Sequence, residues 1–252
     1  MTKLLAPLYG VACYLFFFAT FLYAIGFTTN LVVAPSIDGA VHAPPALAAL
    51  IDLALLGLFA VQHSVMARQG FKRWWTRIVP KPVERSTYVL FASLALALLL
   101  WQWQPIAAPV WSVSDVELRA VVVGFAALGW AMVLVSTFLI SHVELFGLRQ
   151  SFAGALGRSE AAPRLRTPGL YRLVRHPIYL GFLLAFWSAP DMSVGHLLFA
   201  IGTSGYILIG ILFEERDLVR TFGESYRRYR REVWMLLPLP KTRAKDRSRK
   251  IA

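Results

Sequence analysis

The sequence predicts an all-α, polytopic membrane bundle of five to six transmembrane helices, and three observations predict it. Hydrophobic residues make up 57% of the 252 positions and charged residues only 16%, with a mean hydropathy of +0.57, outside the usual soluble range. Apolar runs long enough to cross a hydrocarbon core, about 20 residues of helix, recur along the chain. Lysine and arginine gather in alternate connections between these runs, the pattern that orients membrane spans. A net charge of +12 would suit nucleic acid on one soluble basic face, but here it is divided among the connections between apolar blocks. Membrane lipids, not nucleic acid, are therefore the expected partners, and nothing in the pattern implies a protein partner.

The first span is expected over residues 8–31. It is longer than the apolar core of a signal peptide and lacks a small-residue cleavage site, so it reads as a retained helix. Cys13, the one cysteine, falls inside it, which excludes a disulfide framework and a cysteine metal cluster. Further spans are expected over residues 45–66, 87–103 and 116–141. The block 178–213 is too long for one crossing and is broken by Ala189-Pro190-Asp191-Met192-Ser193, so it reads as a helical hairpin with a short first arm.

Charge tests that count independently. Lys3 precedes the first run; Arg68, Lys72, Arg73, Arg77, Lys81 and Arg85 follow the second; Arg149, Arg158, Arg164, Arg166, Arg172 and Arg175 follow the fourth; twelve more lie beyond the hairpin. The other connections carry none, apart from Arg119 at the outer end of a span. Six crossings with both termini in the cytoplasm, as in a bacterial inner membrane, satisfy this alternation. The chain then divides into a four-span region (1–141), a cofactor-binding region containing the hairpin (142–240) and a basic, disordered, lipid-facing tail (241–252).

Polar chemistry concentrates around the hairpin. Arg175-His176-Pro177-Ile178-Tyr179-Leu180-Gly181 enters it, Glu214-Glu215-Arg216-Asp217 leaves it, and Gly223-Glu224-Ser225-Tyr226-Arg227-Arg228-Tyr229 follows. A hairpin returns its ends to one membrane face. Pro177 suits a first helical turn, placing Arg175 and His176 at a helix N-terminus that favours an anion, with Glu214 and Glu215 opposite. A cation and an anion at one boundary suit a zwitterion. Ionisable groups at membrane depth are costly and mark function by default, although an interfacial ion-pair network is the competing explanation.

Arg-His-Pro-x-Tyr-x-Gly, a hairpin, Glu-Glu, Gly-x-x-Tyr-x-x-Tyr and the late Pro238 together resemble the isoprenylcysteine carboxyl methyltransferase superfamily over residues 169–240. The resemblance implies an S-adenosylmethionine pocket formed by Arg175, His176, Tyr179, Gly181, Glu214 and Glu215, with Tyr226 and Tyr229. Upstream, Gln62-His63-Ser64-Val65-Met66-Ala67-Arg68, Glu84-Arg85-Ser86-Thr87-Tyr88 and the stretch from His142 to Gln150 are similar to the methanethiol S-methyltransferase family. This extends the likeness to nearly the whole chain and implies methylation of a small thiol, methanethiol, to dimethyl sulfide.

Thiol methylation needs a thiolate, so a base or a cation near the acceptor is expected. His142 is the first candidate base and His63 the second, both at helix ends facing the expected pocket. Glu144 could orient His142 if the helix stops before it, because i and i+2 face different sides of a continuous helix. Gly147 permits a stop that turns Arg149 and Gln150 toward the substrate side. Trp74, Trp75, Trp101, Trp103 and Trp111 read as interfacial anchors. Competing readings are another acceptor within the superfamily (a prenylcysteine carboxylate or a lipid), an NADPH-dependent membrane reductase, and a non-enzymatic membrane protein.

Overall fold

The structure, a computed structural model, describes residues 2–157 and 164–238. The expected tail (241–252) and Arg158 lie outside the described residues. In chain order the elements are α1 (Thr2–Thr29), α2 (Pro45–Ala67), α3 (Gln69–Trp75), α4 (Lys81–Gln102), β1 (Pro109–Ser112), α5 (Val116–Ile140), α6 (His142–Leu145) and α7 (Leu148–Ala155). A 3-10 turn (Gly169–Arg172) leads to α8 (Pro177–Trp187), β2 (Asp191–Ser193), α9 (Val194–Phe222) and α10 (Glu224–Glu232).

Five helices, α1, α2, α4, α5 and α9, are long and apolar enough to cross a membrane, so the chain is a polytopic helical bundle. Leu, Val and Phe side chains stand exposed along them, such as Leu50, Leu53, Val121, Phe125 and Leu212, as a lipid-facing surface requires. Their starts are built locally. Asp115 accepts from the Leu118 amide at 2.8 Å and Ser193 from the His196 amide at 3.0 Å, capping α5 and α9, while Pro45 and Pro177 occupy first turns.

Two helices extend beyond their apolar runs. α4 begins at Lys81 rather than near residue 87, and α9 continues past residue 213 to Phe222, carrying Glu214 and Glu215 as helical residues. The reason is burial in protein rather than lipid: Glu84, Ser86 and Glu215 are all buried, so polar turns need no apolar sequence there. Hydropathy alone ends such helices too early.

The hairpin has the expected short first arm. α8 has 11 residues, about 16 Å of helix and roughly half a hydrocarbon core. It begins inside the bundle, where Gly181 lies against Val133 and the Tyr171 hydroxyl donates to the Ser136 carbonyl. Its far end continues into β2, which pairs antiparallel with β1: Pro109 opposite Ser193, Trp111 opposite Met192, and Ser112 opposite Asp191. The expected turn at the hairpin tip is thus a strand tied to the α4–α5 connection, and it carries the chain to the end of the bundle opposite Arg175.

The site is positioned by a close crossing of α5 and α8. A Cβ on Gly129 would stand 2.6 Å from the Gly181 carbonyl oxygen, and one on Gly181 would stand 2.6 Å from the Gly129 carbonyl oxygen. Each glycine therefore admits the other helix's backbone, as small residues do in membrane helix pairs. Packing also joins α1 to α4 and α7, and α2 to α4 and α9, so elements on both sides of residue 141 share one core. Trp103 sits in that core rather than at an interface: it is buried edge-on to Phe27 and Phe199. Trp74 and Trp101 are exposed, as anchoring residues would be.

Candidate functional site

The polar ends of α4 and α9 meet α6, α7, the 3-10 turn and α10 at one end of the bundle and enclose a cavity of about 950 Å³. A second cavity of about 420 Å³ runs deeper between α1, α2, α4, α5, α8 and α9, lined mainly by Phe, Leu and Val side chains with Trp130. Arg85, Ile140, Leu145, Tyr171, Arg175, His176 and Glu214 line both. A polar chamber therefore adjoins an apolar one across a wall that carries charge. Sizes of this order are those of small-molecule sites.

Glu215 organises the wall. Its Oε1 accepts from Arg175 Nε at 2.7 Å and lies 3.2 Å from His176 Nε2, and its Oε2 pairs with Arg230 Nε at 3.1 Å. The Tyr226 hydroxyl adds a contact at 3.5 Å. Arg175 also donates to the Val233 and Arg230 carbonyls, which ties α10 and the segment after it to the start of α8. The Arg175 amide bonds the Trp234 carbonyl at 2.8 Å and the His176 amide the Met235 carbonyl at 3.2 Å. A buried charge this heavily bonded holds its neighbours in place. The structure thus gives Arg175 a partner inside the chain.

Glu214, one residue earlier on α9, has a different position. Its side chain is 43% exposed, faces both cavities, and has His176 Nδ1 at 3.8 Å. The Tyr179 ring lies 5.6 Å from the His176 ring and lines the apolar cavity. Tyr226 and Tyr229 close the polar cavity from α10. Burial pushes the Tyr229 phenol up to about 12 and raises Tyr226, so both stay neutral donors, Tyr226 toward Glu215 and Tyr229 toward the Tyr171 carbonyl. Gly181 stands apart from the cavities, its Cα turned to Gly129 and Val133.

The candidate bases both line the apolar cavity. His142 is stacked on Phe138, with ring centres 4.1 Å apart, and both its nitrogens are engaged. Thr137 Oγ1 donates to the Leu134 carbonyl at 2.7 Å, so it accepts from His142 Nδ1 at 2.9 Å; Nε2 is then the acceptor for the Tyr14 hydroxyl at 2.9 Å. Burial holds the His142 imidazole below the usual histidine range, consistent with this neutral tautomer. His63 Nε2 lies 2.9 Å from the Tyr88 hydroxyl, while its Nδ1 is buried with no hydrogen-bond partner.

The helix does stop at Ile140, as a Glu144–His142 pairing would require, yet Glu144 turns away. It pairs with Arg149 at 2.8 Å at an exposed position, and Thr137 orients His142 instead. Gly147 is left-handed, with φ of 81°, and a Cβ there would meet the Ser86 amide nitrogen at 2.6 Å. That turn starts α7 and brings Arg149 and Gln150 to the polar cavity, where Gln150 Oε1 accepts from the Arg85 amide at 2.9 Å. Arg85, Tyr88, Tyr171 and Tyr206 also line the cavities, and the sequence assigns none of them a role. The Glu84–Tyr88 motif was the one signal for the first two.

No protein-family model matches the chain, and no solved structure matches it. Curated relatives do. The chain is 56% identical to methanethiol S-methyltransferase 1 of Bradyrhizobium diazoefficiens, over 94% of this chain and 83% of that one. It is 55% identical to the methanethiol S-methyltransferase of Mycobacterium tuberculosis, over 95% and 98% of the two chains. Nurim of Sus scrofa is 31% identical over 66% of each chain. Identity of this extent, spanning both the four-span half and the Arg175–Glu215 wall, shows that the chain belongs to the methanethiol S-methyltransferase family.

Proposed function

We propose that this protein is a membrane enzyme that methylates methanethiol to dimethyl sulfide with S-adenosylmethionine as methyl donor. One observation carries the reading: a charged cavity and a mainly apolar cavity meet at a wall formed by Arg85, Arg175, His176 and Glu214. The relatives' names supply the acceptor and the reaction class.

The residues present fit the donor. Glu214 offers a carboxylate to an ammonium or sulfonium group, and Arg164 and Arg166 on the polar rim offer cations to a carboxylate. Phe222, Tyr226 and Tyr229 offer flat surfaces to an adenine ring. When bound, S-adenosylmethionine supplies an electrophilic methyl group on a sulfonium. The chain's own work is positioning and exclusion of water. Glu215 fixes Arg175 and His176, which hold the wall between the cavities, and the aromatic lining of the inner cavity keeps the acceptor in a low-dielectric space. Charge is neutralised in the transfer, so such a space favours it.

The Lys and Arg distribution supports both termini on the cytoplasmic side of a bacterial inner membrane, with the polar cavity open to the cytoplasm. Calorimetry of S-adenosylmethionine binding, followed by headspace detection of dimethyl sulfide from methanethiol, tests the proposal. Binding with product formation is expected. Binding without thiol methylation would overturn the acceptor assignment, and failure to bind would overturn the donor.

A further inference from the structure

Arg85 occupies the second turn of α4 and lines both cavities. Its Nε donates to the Leu145 carbonyl at 3.0 Å, and its guanidinium carbon stands 5.3 Å from the centre of the Tyr88 ring. The hydrogen bond fixes the plane of the group, and the ring limits its movement. Three other arginines near the wall are matched by carboxylates, Arg68 by Asp217, Arg149 by Glu144 and Arg175 by Glu215, while Arg164 and Arg166 line only the polar cavity. Among the described residues, no carboxylate lies within 4.0 Å of the Arg85 guanidinium. A half-buried cation of fixed orientation, facing two cavities and with no carboxylate beside it among the described residues, is suited to an anion brought by a ligand.

On the thiol-methylating reading above, we propose that this anion is the acceptor thiolate: Arg85 holds the acceptor sulfur in its ionised form where the two cavities meet. A small alkanethiol is a weak acid, so its reactive form needs local stabilisation. The candidate imidazole His142 has both ring nitrogens engaged, and Glu214 would repel a thiolate. Arg175 has its charge matched by Glu215 at 2.7 Å. Of the cationic side chains that line both cavities, Arg175 and His176 lie against Glu215, and Arg85 is the one with no carboxylate within 4.0 Å among the described residues. Other charged or titratable groups around it are its neighbour Glu84, Lys72 on α3, His63 on α2, Glu144 on α6, Arg175 before α8 and Glu214 on α9.

The chemistry balances. The thiol gives up its S–H proton to water at the mouth of the polar cavity. The sulfur lone pair forms the new S–C bond as the sulfonium–methyl bond breaks, and that bonding pair stays on the donor sulfur. One anion and one cation become two neutral thioethers. Arg85 keeps its proton throughout and lowers the cost of the anion before transfer.

The test uses the full chain in lipid nanodiscs. Ethanethiol binding is followed by calorimetry in buffers of different ionisation enthalpy, without donor. Wild type is expected to release a proton on binding and R85Q none, while R85K, which keeps the charge, retains release. In turnover, R85Q is expected to lose about a hundredfold at neutral pH with ethanethiol. That loss shrinks with the more acidic thiophenol, and affinity for S-adenosylmethionine is unchanged. Undiminished proton release by R85Q would overturn the proposal. So would a fall in donor affinity with the same loss for both thiols, which would place Arg85 on the donor carboxylate. Wild type that releases a proton with ethanethiol yet methylates no thiol would refute the reaction reading and still support the anion site.

Discussion

Arg175 Nε lies 2.7 Å from Glu215 Oε1, although 40 residues and a hairpin separate them. Their side chains are only 9% and 8% exposed, so the two charges are largely withdrawn from water and offset one another. Breaking such a pair on one side is expected to cost about 3–5 kcal/mol, because a buried charge is left without its partner. R175M alone should therefore lower the melting temperature in detergent, and E215M should do so too. R175M/E215M should recover part of the loss. Additive losses in that double-mutant cycle would contradict the pairing.

The crossing of α5 and α8 predicts a second effect. G129A or G181A places a methyl group 2.6 Å from a carbonyl oxygen of the facing helix, an overpacking expected to cost about 1–3 kcal/mol. Gly57 has open space around its Cβ position, so G57A serves as the matched control and should leave stability unchanged or slightly raised. Equal melting temperatures for G181A and G57A would remove the argument for a close crossing.

Glu214 and Glu215 should separate in function. Glu214 is 43% exposed and its ion pair with His176 is long, at 3.8 Å, so E214Q is expected to fold normally while weakening S-adenosylmethionine binding by about tenfold, the scale of one charge-assisted contact. Calorimetry on the folded variant checks this. Unchanged affinity would show that the carboxylate does not face the donor.

His142 predicts a pH effect on stability. Its folded pKa is lowered by burial, so as pH falls below about 6.5 the unfolded chain takes up the proton first. The stabilisation is fully present above that pH and is lost as pH falls toward the folded value. Thermal melts across the acid range should show this decline, and H142Q should flatten it. A variant with the same pH dependence as wild type would locate the effect elsewhere.

Much of the bundle was legible because lipid imposes a simple rule on sequence. The runs in α1, α2 and α5 are strongly apolar, and the alternating Lys and Arg distribution ordered them. The rule fails where a helix leaves lipid and enters protein. Glu84 and Ser86 on α4 and Glu215 on α9 are helical and buried, so hydropathy missed those turns. The charged wall was legible as a set of motifs, but the partition of roles within it was not. Glu214 faces the cavities and Glu215 faces Arg175 because adjacent helical positions point about 100° apart, and only the packing of α8 selects which one is buried. Gly181 was visible as part of a motif, and its place against Gly129 follows from a helix crossing that no local pattern encodes. Arg85 was legible as part of the Glu84–Tyr88 motif, and its place between the two cavities follows from the packing around α4.

The central claim is that the two adjoining cavities serve one methyl transfer. The most direct measurement supplies the purified protein in nanodiscs with methanethiol and S-adenosylmethionine carrying a deuterated methyl group, and analyses the headspace by mass spectrometry. Dimethyl sulfide bearing one deuterated methyl group is the expected product. Absence of labelled dimethyl sulfide from folded, donor-binding protein would contradict the account.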